Sequence, residues 1–232
     1  MITHVRLKDT CRLVPSLYPA AGILDRIATP EDLPFIFELE SWSNDRISTE
    51  LGILHRIPRE EWLVGRPMAS VVMAAFCHPR PGGGRFNGPD RGAWYASAEL
   101  ATSQAEVAYH RTLELAEVGV FETRMQFRLY LANFDCEFHD VRPRKPENVP
   151  LHNPNSYVAS QAFAKELLAT GSNGVIYRSV RRRAGQCVAC FRPALVSDVR
   201  PDAHFEYRWE GTRTPAVRKL RASLSDHQRH AG

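Results

Sequence analysis

Residues 123–134, TRMQFRLYLANF, limit what this chain can fold into more than any other stretch of it. Apolar side chains occupy every second position, with mostly polar ones between them: Met125, Phe127, Leu129 and Leu131 against Arg124, Gln126, Arg128 and Tyr130. Successive side chains of a strand point to opposite faces, so this period of two predicts a β-strand with one buried face. Such a strand needs neighbouring strands and a covering layer from the rest of the chain.

The remaining sequence predicts both. Further strands are expected at 11–16, 93–97, 173–180, 186–196 and 203–209, and helices at 28–42, 101–119 and 155–171. Residues 69–77, ASVVMAAFC, fit a strand or a buried helix equally well, because periodicity does not separate the two. The Gly- and Pro-rich residues 78–92 predict a loop, and after Pro215 we expect only a basic tail. The mixed order, with late strands able to pair antiparallel, predicts one α+β domain over residues 1–232.

Charge and hydropathy narrow the class of protein. The chain has 30 Lys and Arg against 26 Asp and Glu, a net charge of +4, whereas a general nucleic-acid binder is usually more basic. We interpret the basic runs, RSVRRR at 178–183 and the tail from Arg213, as a solvated loop and terminus. No apolar run is long enough for a transmembrane helix, and MITHVRLKDT lacks the apolar core of a signal peptide. We therefore expect a cytoplasmic protein that binds neither membrane nor nucleic acid directly.

The cysteines also point away from a metal site. Five cysteines in a chain without export signals indicate reduced thiols. Cys187 and Cys190 form a CxxC pair inside a predicted strand, where positions i and i+3 face opposite sides. Their sulfurs cannot share one ion, so no metal is expected.

The loop GGGRFN at 82–87 has two interpretations. A glycine loop leaves backbone N–H groups free for an anion, and the Arg85 guanidinium can bind phosphate through two parallel hydrogen bonds. Asn87 adds a side-chain amide. The spacing matches neither the P-loop nor the dinucleotide-binding glycine motif, and surface turns carry the same residues. The loop therefore fits a phosphate or pyrophosphate site, or an ordinary turn.

Three further residues have a structural and a functional interpretation. Glu106 lies near the start of a predicted helix, where an acid stabilises the helix dipole or serves a site. Tyr95, in a short strand, suits the core or a site. Arg12 lies in an otherwise apolar strand and must find a partner or reach a cavity.

The order CRLVPS, GGGRFN, AWYAS, AEVAYH and SQAFAKELLATGSNGVIYRSVR resembles the RES domain, the toxin of RES–Xre toxin–antitoxin pairs. The similarity covers residues 11–196, with a helical insertion at 25–70 and a basic tail at 213–232. It implies an ADP-ribosyltransferase-like mixed or antiparallel sheet with flanking helices. It also implies two sets of residues: Glu106, Arg12, Tyr95 and Ser179 for catalysis, and Arg12, Gly84, Arg85, Asn87, Tyr95, Arg46, Ser160 and Gln161 for binding. The family serine is Ser179 or Ser160, and whether Arg46 or His55 joins the site stays open.

The resemblance further implies that NAD+ is the substrate and is cleaved between nicotinamide and ribose. Cleavage is by phosphorolysis, with inorganic phosphate as co-substrate, or by hydrolysis. The implied partner is an Xre-like, DNA-binding antitoxin. The chain itself is implied to form a homodimer within a hetero-oligomeric complex with this partner. Two alternatives stay open: transfer of ADP-ribose to a protein target, and a catalytically inactive protein that binds a partner or nucleic acid. The basic runs lack the interleaved aromatic residues that nucleic-acid binding would need.

Overall fold

The alternating stretch 123–134 forms the middle of a 19-residue strand in the computed structural model, which describes residues 1–18, 23–25 and 53–221. The strands of these residues are β1 (Ile2–Pro15), β2 (Trp94–Ser97), β3 (Glu122–Asp140), β4 (Gly174–Arg178), β5 (Gln186–Cys190), β6 (Ser197–Glu210) and β7 (Ala216–Leu220). Their α-helices are α1 (Ala69–Cys77), α2 (Leu100–Val118) and α3 (Val158–Ala169).

The sheet is built on β3. One edge of β3 pairs antiparallel with β1, and the other pairs antiparallel with β6 and, at its last two residues, parallel with β4. The strand order is β1-β2-β5-β4-β3-β6-β7. Because β1 also pairs with β3, the first five strands of that order close into a ring. Apart from β3–β4, the pairings among the described strands are antiparallel. The predicted α+β class, with a mixed and mainly antiparallel sheet, is confirmed.

The ring is least continuous between β1 and β2. These strands share a single paired position, Cys11 opposite Ser97, whereas β2 pairs with β5 at all four of its residues. β1 continues past Cys11 to Pro15 while remaining paired with β3. The sheet therefore parts beside the end of β1, and this opening positions the candidate site.

Three apolar clusters cover the sheet, and each contains residues of one helix. α1 packs with Trp94, Phe134 and other residues on one side of the ring. α2 packs through Leu115 against the cluster that holds Phe127 and Tyr207, and α3 packs against the cluster of β4 and β5. Burial of each helix against the sheet is the main stabilising contribution that these contacts make.

The cysteines of β5 confirm their predicted orientation. Cys187 belongs to the α3 cluster and Cys190 to the α1 cluster, so the two sulfurs lie on opposite faces of the strand. All five cysteines are buried and free. Burial raises the pKa of their thiols, to about 11 at Cys11 and Cys136 and to about 12 at Cys77, Cys187 and Cys190. Within the described ranges, no group of three His, Cys, Asp or Glu side chains could hold a metal ion.

The ambiguous stretch 69–77 is the helix α1. Seven of its nine residues are buried, so apolar side chains surround the helix and leave no period in the sequence. α2 lies within one residue of the predicted bounds and ends at Gly119, whose φ of 69° suits glycine. None of the three described helices is long and apolar enough to cross a membrane.

The C-terminal prediction is corrected in part. Residues 216–220 form β7, which pairs with β6, instead of belonging to a basic tail. Residues 222–232 lie outside the described residues, as do the predicted helix 28–42 and most of the predicted insertion at 25–70.

Candidate functional site

A cavity of about 1210 Å³ lies at the opening between β1 and β2. Its lining draws on both sides of the sheet: Leu13 belongs to the α2 cluster, and Val14 packs against the α1 cluster. Residues of α1, α2 and the loop 78–92 complete the wall. Sites for small molecules usually measure about 300–1,000 Å³, so this cavity has room for a large ligand.

The glycine loop lies close to protein groups on its inner side. Gly83 has a φ of +72°, and a Cβ there would lie 2.2 Å from the Asn87 carbonyl oxygen. A Cβ at Gly84 would lie 2.7 Å from the Tyr95 hydroxyl oxygen. The Gln161 amide, from α3, donates to two carbonyl groups of the loop at 2.8 and 3.0 Å. Glycine is therefore required at 83 and 84 by the fold itself, and Gln161 holds the loop in place.

The Tyr95 hydroxyl organises the other half of this loop. It accepts a hydrogen bond from the Phe86 N–H at 2.8 Å and donates to Asn87 Oδ1 at 2.8 Å. The Asn87 amide nitrogen in turn donates to the carbonyls of Gly88 and Arg91. Burial raises the pKa of the Tyr95 phenol, so the hydroxyl stays protonated. Tyr95 and Asn87 line the cavity, but their polar groups are engaged within the loop.

Arg85 anchors the loop from its other side. Its Nη1 donates to the carbonyls of Leu151 at 3.1 Å and Asn153 at 2.8 Å, and its guanidinium lies 4.7 Å from the centre of the Tyr157 ring. The residue is 7% exposed and lines the cavity. No carboxylate of the described residues pairs with it, so Arg85 adds an unneutralised positive charge to the wall.

Arg12 reaches the cavity from the end of β1. Its Nη1 donates to the Tyr95 carbonyl at 3.0 Å, and its guanidinium lies 4.8 Å from the centre of the Trp94 ring. Its Nε is buried without a hydrogen-bond partner among the residues described. Burial lowers the pKa of Arg12 to about 10, which leaves it charged at neutral pH. A buried charge of this kind is costly unless something pairs with it.

Glu106 is held by Ser179. The Ser179 hydroxyl donates to Glu106 Oε1 at 2.6 Å and accepts the backbone N–H groups of Arg181 and Arg182, each at 3.0 Å. A hydroxyl has one proton and two lone pairs. The two N–H groups occupy the lone pairs, so the proton is directed at the carboxylate. In this arrangement Ser179 is a donor that positions Glu106.

The other residues predicted for the site do not line the cavity or lie outside the described residues. Ser160 is fully buried in α3, donates to the Tyr157 carbonyl at 3.1 Å and does not line the cavity. Of the two candidate serines, Ser179 is therefore the one that contacts Glu106. His55 is exposed and does not line the cavity, and Arg46 lies outside the described residues.

The two carboxylates in the described lining of the cavity differ in their partners. Glu114 pairs with Arg111 at 2.5 Å and with Arg80 at 3.4 Å. Glu106 pairs with no guanidinium in the described ranges, and its Oε2 lies 3.9 Å from His110 Nε2. Burial, together with nearby arginines, lowers the pKa of His110 to about 4, so the imidazole is neutral at pH 7. The cavity thus offers one unneutralised carboxylate beside unneutralised guanidinium groups.

Residues 53–210 match the model of a protein family described as the RES domain. The chain belongs to the RES family. The resemblance seen in the sequence is thereby confirmed. Tyr95, Arg85, Glu106 and Ser179 lie inside the matched RES region, whereas Arg12 precedes it.

Two known proteins are similar to this RES chain. The uncharacterized protein y4oC of Sinorhizobium fredii (strain NBRC 101917 / NGR234) is 24% identical over 213 residues, which cover 90% of this chain and 87% of the relative. A chain of the M. tuberculosis MbcT–MbcA toxin–antitoxin complex aligns with 97% of this chain and 91% of its own length, at 13% identity and a TM-score of 0.44. At this TM-score the likeness carries no argument about function.

Sequence patterns left several RES cavity residues unassigned. Charged and titratable side chains of the wall that the sequence did not assign include His110, Arg80 and Arg111. His110 follows Glu106 by four residues on α2, a spacing that places both on one helix face. That spacing could have identified His110, whereas Arg80 and Arg111 meet at Glu114 only in the folded protein.

The basic run at 178–183 is also corrected. Arg181 Cζ lies 3.3 Å from the centre of the Tyr109 ring, and Arg182 pairs with Glu99 at the start of α2. The run is therefore not a solvated loop throughout. These two arginines contact α2, the helix that carries Glu106, and hold the residues after Ser179 against it.

Proposed function

We propose that this RES protein is an enzyme that cleaves NAD+ at the bond between nicotinamide and ribose. The observation that carries the proposal is the presence, in one cavity, of a carboxylate and a buried guanidinium without ionic partners in the described residues: Glu106 and Arg12. NAD+ has a cationic nicotinamide ring and an anionic pyrophosphate. A ligand with both charges supplies a partner to each group and offsets the cost of burying Arg12.

Glu106 is the residue proposed to act on the reacting bond. As nicotinamide leaves with the bonding electrons, its ring becomes neutral and positive charge develops on the ribose. A carboxylate beside that charge is more stabilising in the transition state than in the ground state. The Ser179 hydrogen bond fixes one carboxylate oxygen before substrate binds, which reduces the reorganisation needed during the reaction.

Arg12 and Arg85 are the residues proposed to hold the anionic part. Arg12 lines the cavity and pairs with no carboxylate of the described chain, so its guanidinium can donate to a phosphate oxygen, while Arg85 contributes positive charge from the loop. The same charge favours inorganic phosphate as the attacking group. In phosphorolysis a phosphate oxygen bonds to the ribose carbon as the C–N bond breaks, giving nicotinamide and ADP-ribose 1-phosphate. With water as the acceptor, the products are nicotinamide, ADP-ribose and a proton.

The test compares Glu106→Gln with Glu117→Gln, the same change at an exposed residue of α2 that does not line the cavity. We expect Glu106→Gln to lose at least about 100-fold in nicotinamide release, because removing one stabilising group costs about 3 kcal/mol. Glu117→Gln should match wild type. Reactions with and without phosphate, followed by ³¹P NMR, separate the two acceptors. Absence of nicotinamide release by the folded wild type, or wild-type rates in Glu106→Gln, would overturn the proposal.

We also propose that an Xre-like antitoxin, a small DNA-binding protein, restrains this activity by covering the cavity, with a homodimer of the RES chain in the complex. RES membership supports this partner. Expression of the RES chain alone in bacteria should deplete NAD+ and stop growth, and co-expression with the neighbouring gene should restore both. Normal growth and NAD+ levels with soluble unpaired protein would contradict the toxin assignment and favour an inactive interaction protein.

A further inference from the structure

We propose that His110 faces Glu106 without neutralising it, and so reserves that carboxylate for a cationic group of the ligand. The inference rests on the proposed function for the identity of that group, the nicotinamide ring. It adds a role to a residue that the proposed reaction does not otherwise use.

The geometry places the imidazole beside the carboxylate without binding it. His110 lies four residues after Glu106 on α2, and its Nε2 is 3.9 Å from Glu106 Oε2, which is too long for a hydrogen bond. The ring meets the Tyr109 ring edge-on, with centroids 5.4 Å apart and planes at 78°. Tyr109 is itself covered by the Arg181 guanidinium. These contacts hold His110 in one place next to the carboxylate.

The surrounding charges keep this imidazole from becoming a cation. Burial lowers the pKa of His110, and the positive charges of Arg80, Arg181, Arg85 and Arg111 lower it further. A protonated imidazole here would form an ion pair with Glu106 and cancel its charge. The neutral ring fills the same space and leaves the charge of the carboxylate uncancelled. The arginines thus act on Glu106 indirectly, by suppressing the proton that would neutralise it.

The first test measures charge recognition without turnover. The cation 1-methylnicotinamide, which is methylated on the ring nitrogen, and its neutral counterpart nicotinamide are titrated by NMR into wild type, His110→Gln and His110→Lys. We expect wild type and His110→Gln to bind the cation more tightly than the neutral compound. In His110→Lys the ratio of the two affinities should fall at least about tenfold, because the lysine places a fixed positive charge beside Glu106. No preference for the cation in wild type, or equal preference in the Lys and Gln variants, would overturn the inference.

The second test does not use His110→Lys, so it decides the matter if that variant does not fold. Imidazole ¹⁵N shifts, with His110 assigned from the His110→Gln spectrum, should show a neutral ring at pH 6. A protonated His110 at that pH contradicts the inference. Failure of NAD+ cleavage is distinguishable from both results: a wild-type protein that prefers the cation and keeps His110 neutral, yet releases no nicotinamide, refutes the proposed reaction and retains the role of His110.

Discussion

Tyr95→Phe removes one oxygen atom from the glycine loop and, with it, two hydrogen bonds. The Phe86 N–H, in a residue that is 1% exposed, loses its acceptor at 2.8 Å, and Asn87 Oδ1 loses its donor at 2.8 Å. A buried donor left without an acceptor costs about 1–3 kcal/mol, and the second hydrogen bond contributes about 1 kcal/mol. We therefore expect the free energy of unfolding to fall by about 2–4 kcal/mol.

Urea unfolding measures this change, with the midpoint reduced and the slope with denaturant unchanged. Tyr18→Phe is the matched control, because Tyr18 lines the same cavity with its side chain largely exposed. Its free energy of unfolding should stay within about 0.5 kcal/mol of wild type. A Tyr95→Phe protein as stable as Tyr18→Phe would refute the stabilising role of the Tyr95 hydroxyl in the loop. The hydroxyl would then be assigned to ligand binding instead.

Two further predictions follow from the groups around Glu106. Ser179→Ala should lower kcat for NAD+ at least about tenfold with little change in KM, because the hydrogen bond acts on the carboxylate, and Ser179→Thr should recover most of the loss; equal losses in both variants would contradict a role for the hydroxyl. The unfolded chain binds a proton at His110 near pH 6.5 and the folded protein only near pH 4, so stability should fall by about 2–3 kcal/mol between these values as pH decreases. Burial also lowers the pKa of His139 and His152, so these residues add to the same pH dependence. Urea unfolding of wild type and His110→Gln across this pH range isolates the contribution of His110. An identical dependence of stability on pH in the two proteins would exclude that contribution.

The local pattern of the sequence was sufficient where one element decides its own structure. β3 follows from its period of two, and the end of α2 follows from Gly119. α1 could not be assigned, because a helix buried on every side has no polar face to reveal its period. β7 was missed because its short, basic sequence becomes a strand only by pairing with β6.

The site shows the same division. Arg12 stood out in the sequence as a charge in an apolar strand, the resemblance to the RES domain added Tyr95, Arg85 and Glu106 as candidates, and all four line one cavity. The sequence could not show how they are used, since their contacts join distant parts of the chain. Arg85, for example, meets carbonyls 66 and 68 residues away, and Glu106 meets Ser179 across 73 residues. Such pairings depend on the topology of the ring of strands, which no local pattern specifies.

All five cysteines are buried and protonated at neutral pH, so they react slowly with thiol reagents in the folded protein, although Cys11 and Cys187 lie in the wall of the cavity. A sixth cysteine introduced at Leu17, which is exposed at the cavity, would therefore react with a fluorescent label well before the native thiols do. Its emission would report ligands entering and leaving. The native thiols would supply a second measurement in the same sample: their slow alkylation would time the openings through which the closed ring of strands briefly exposes its interior.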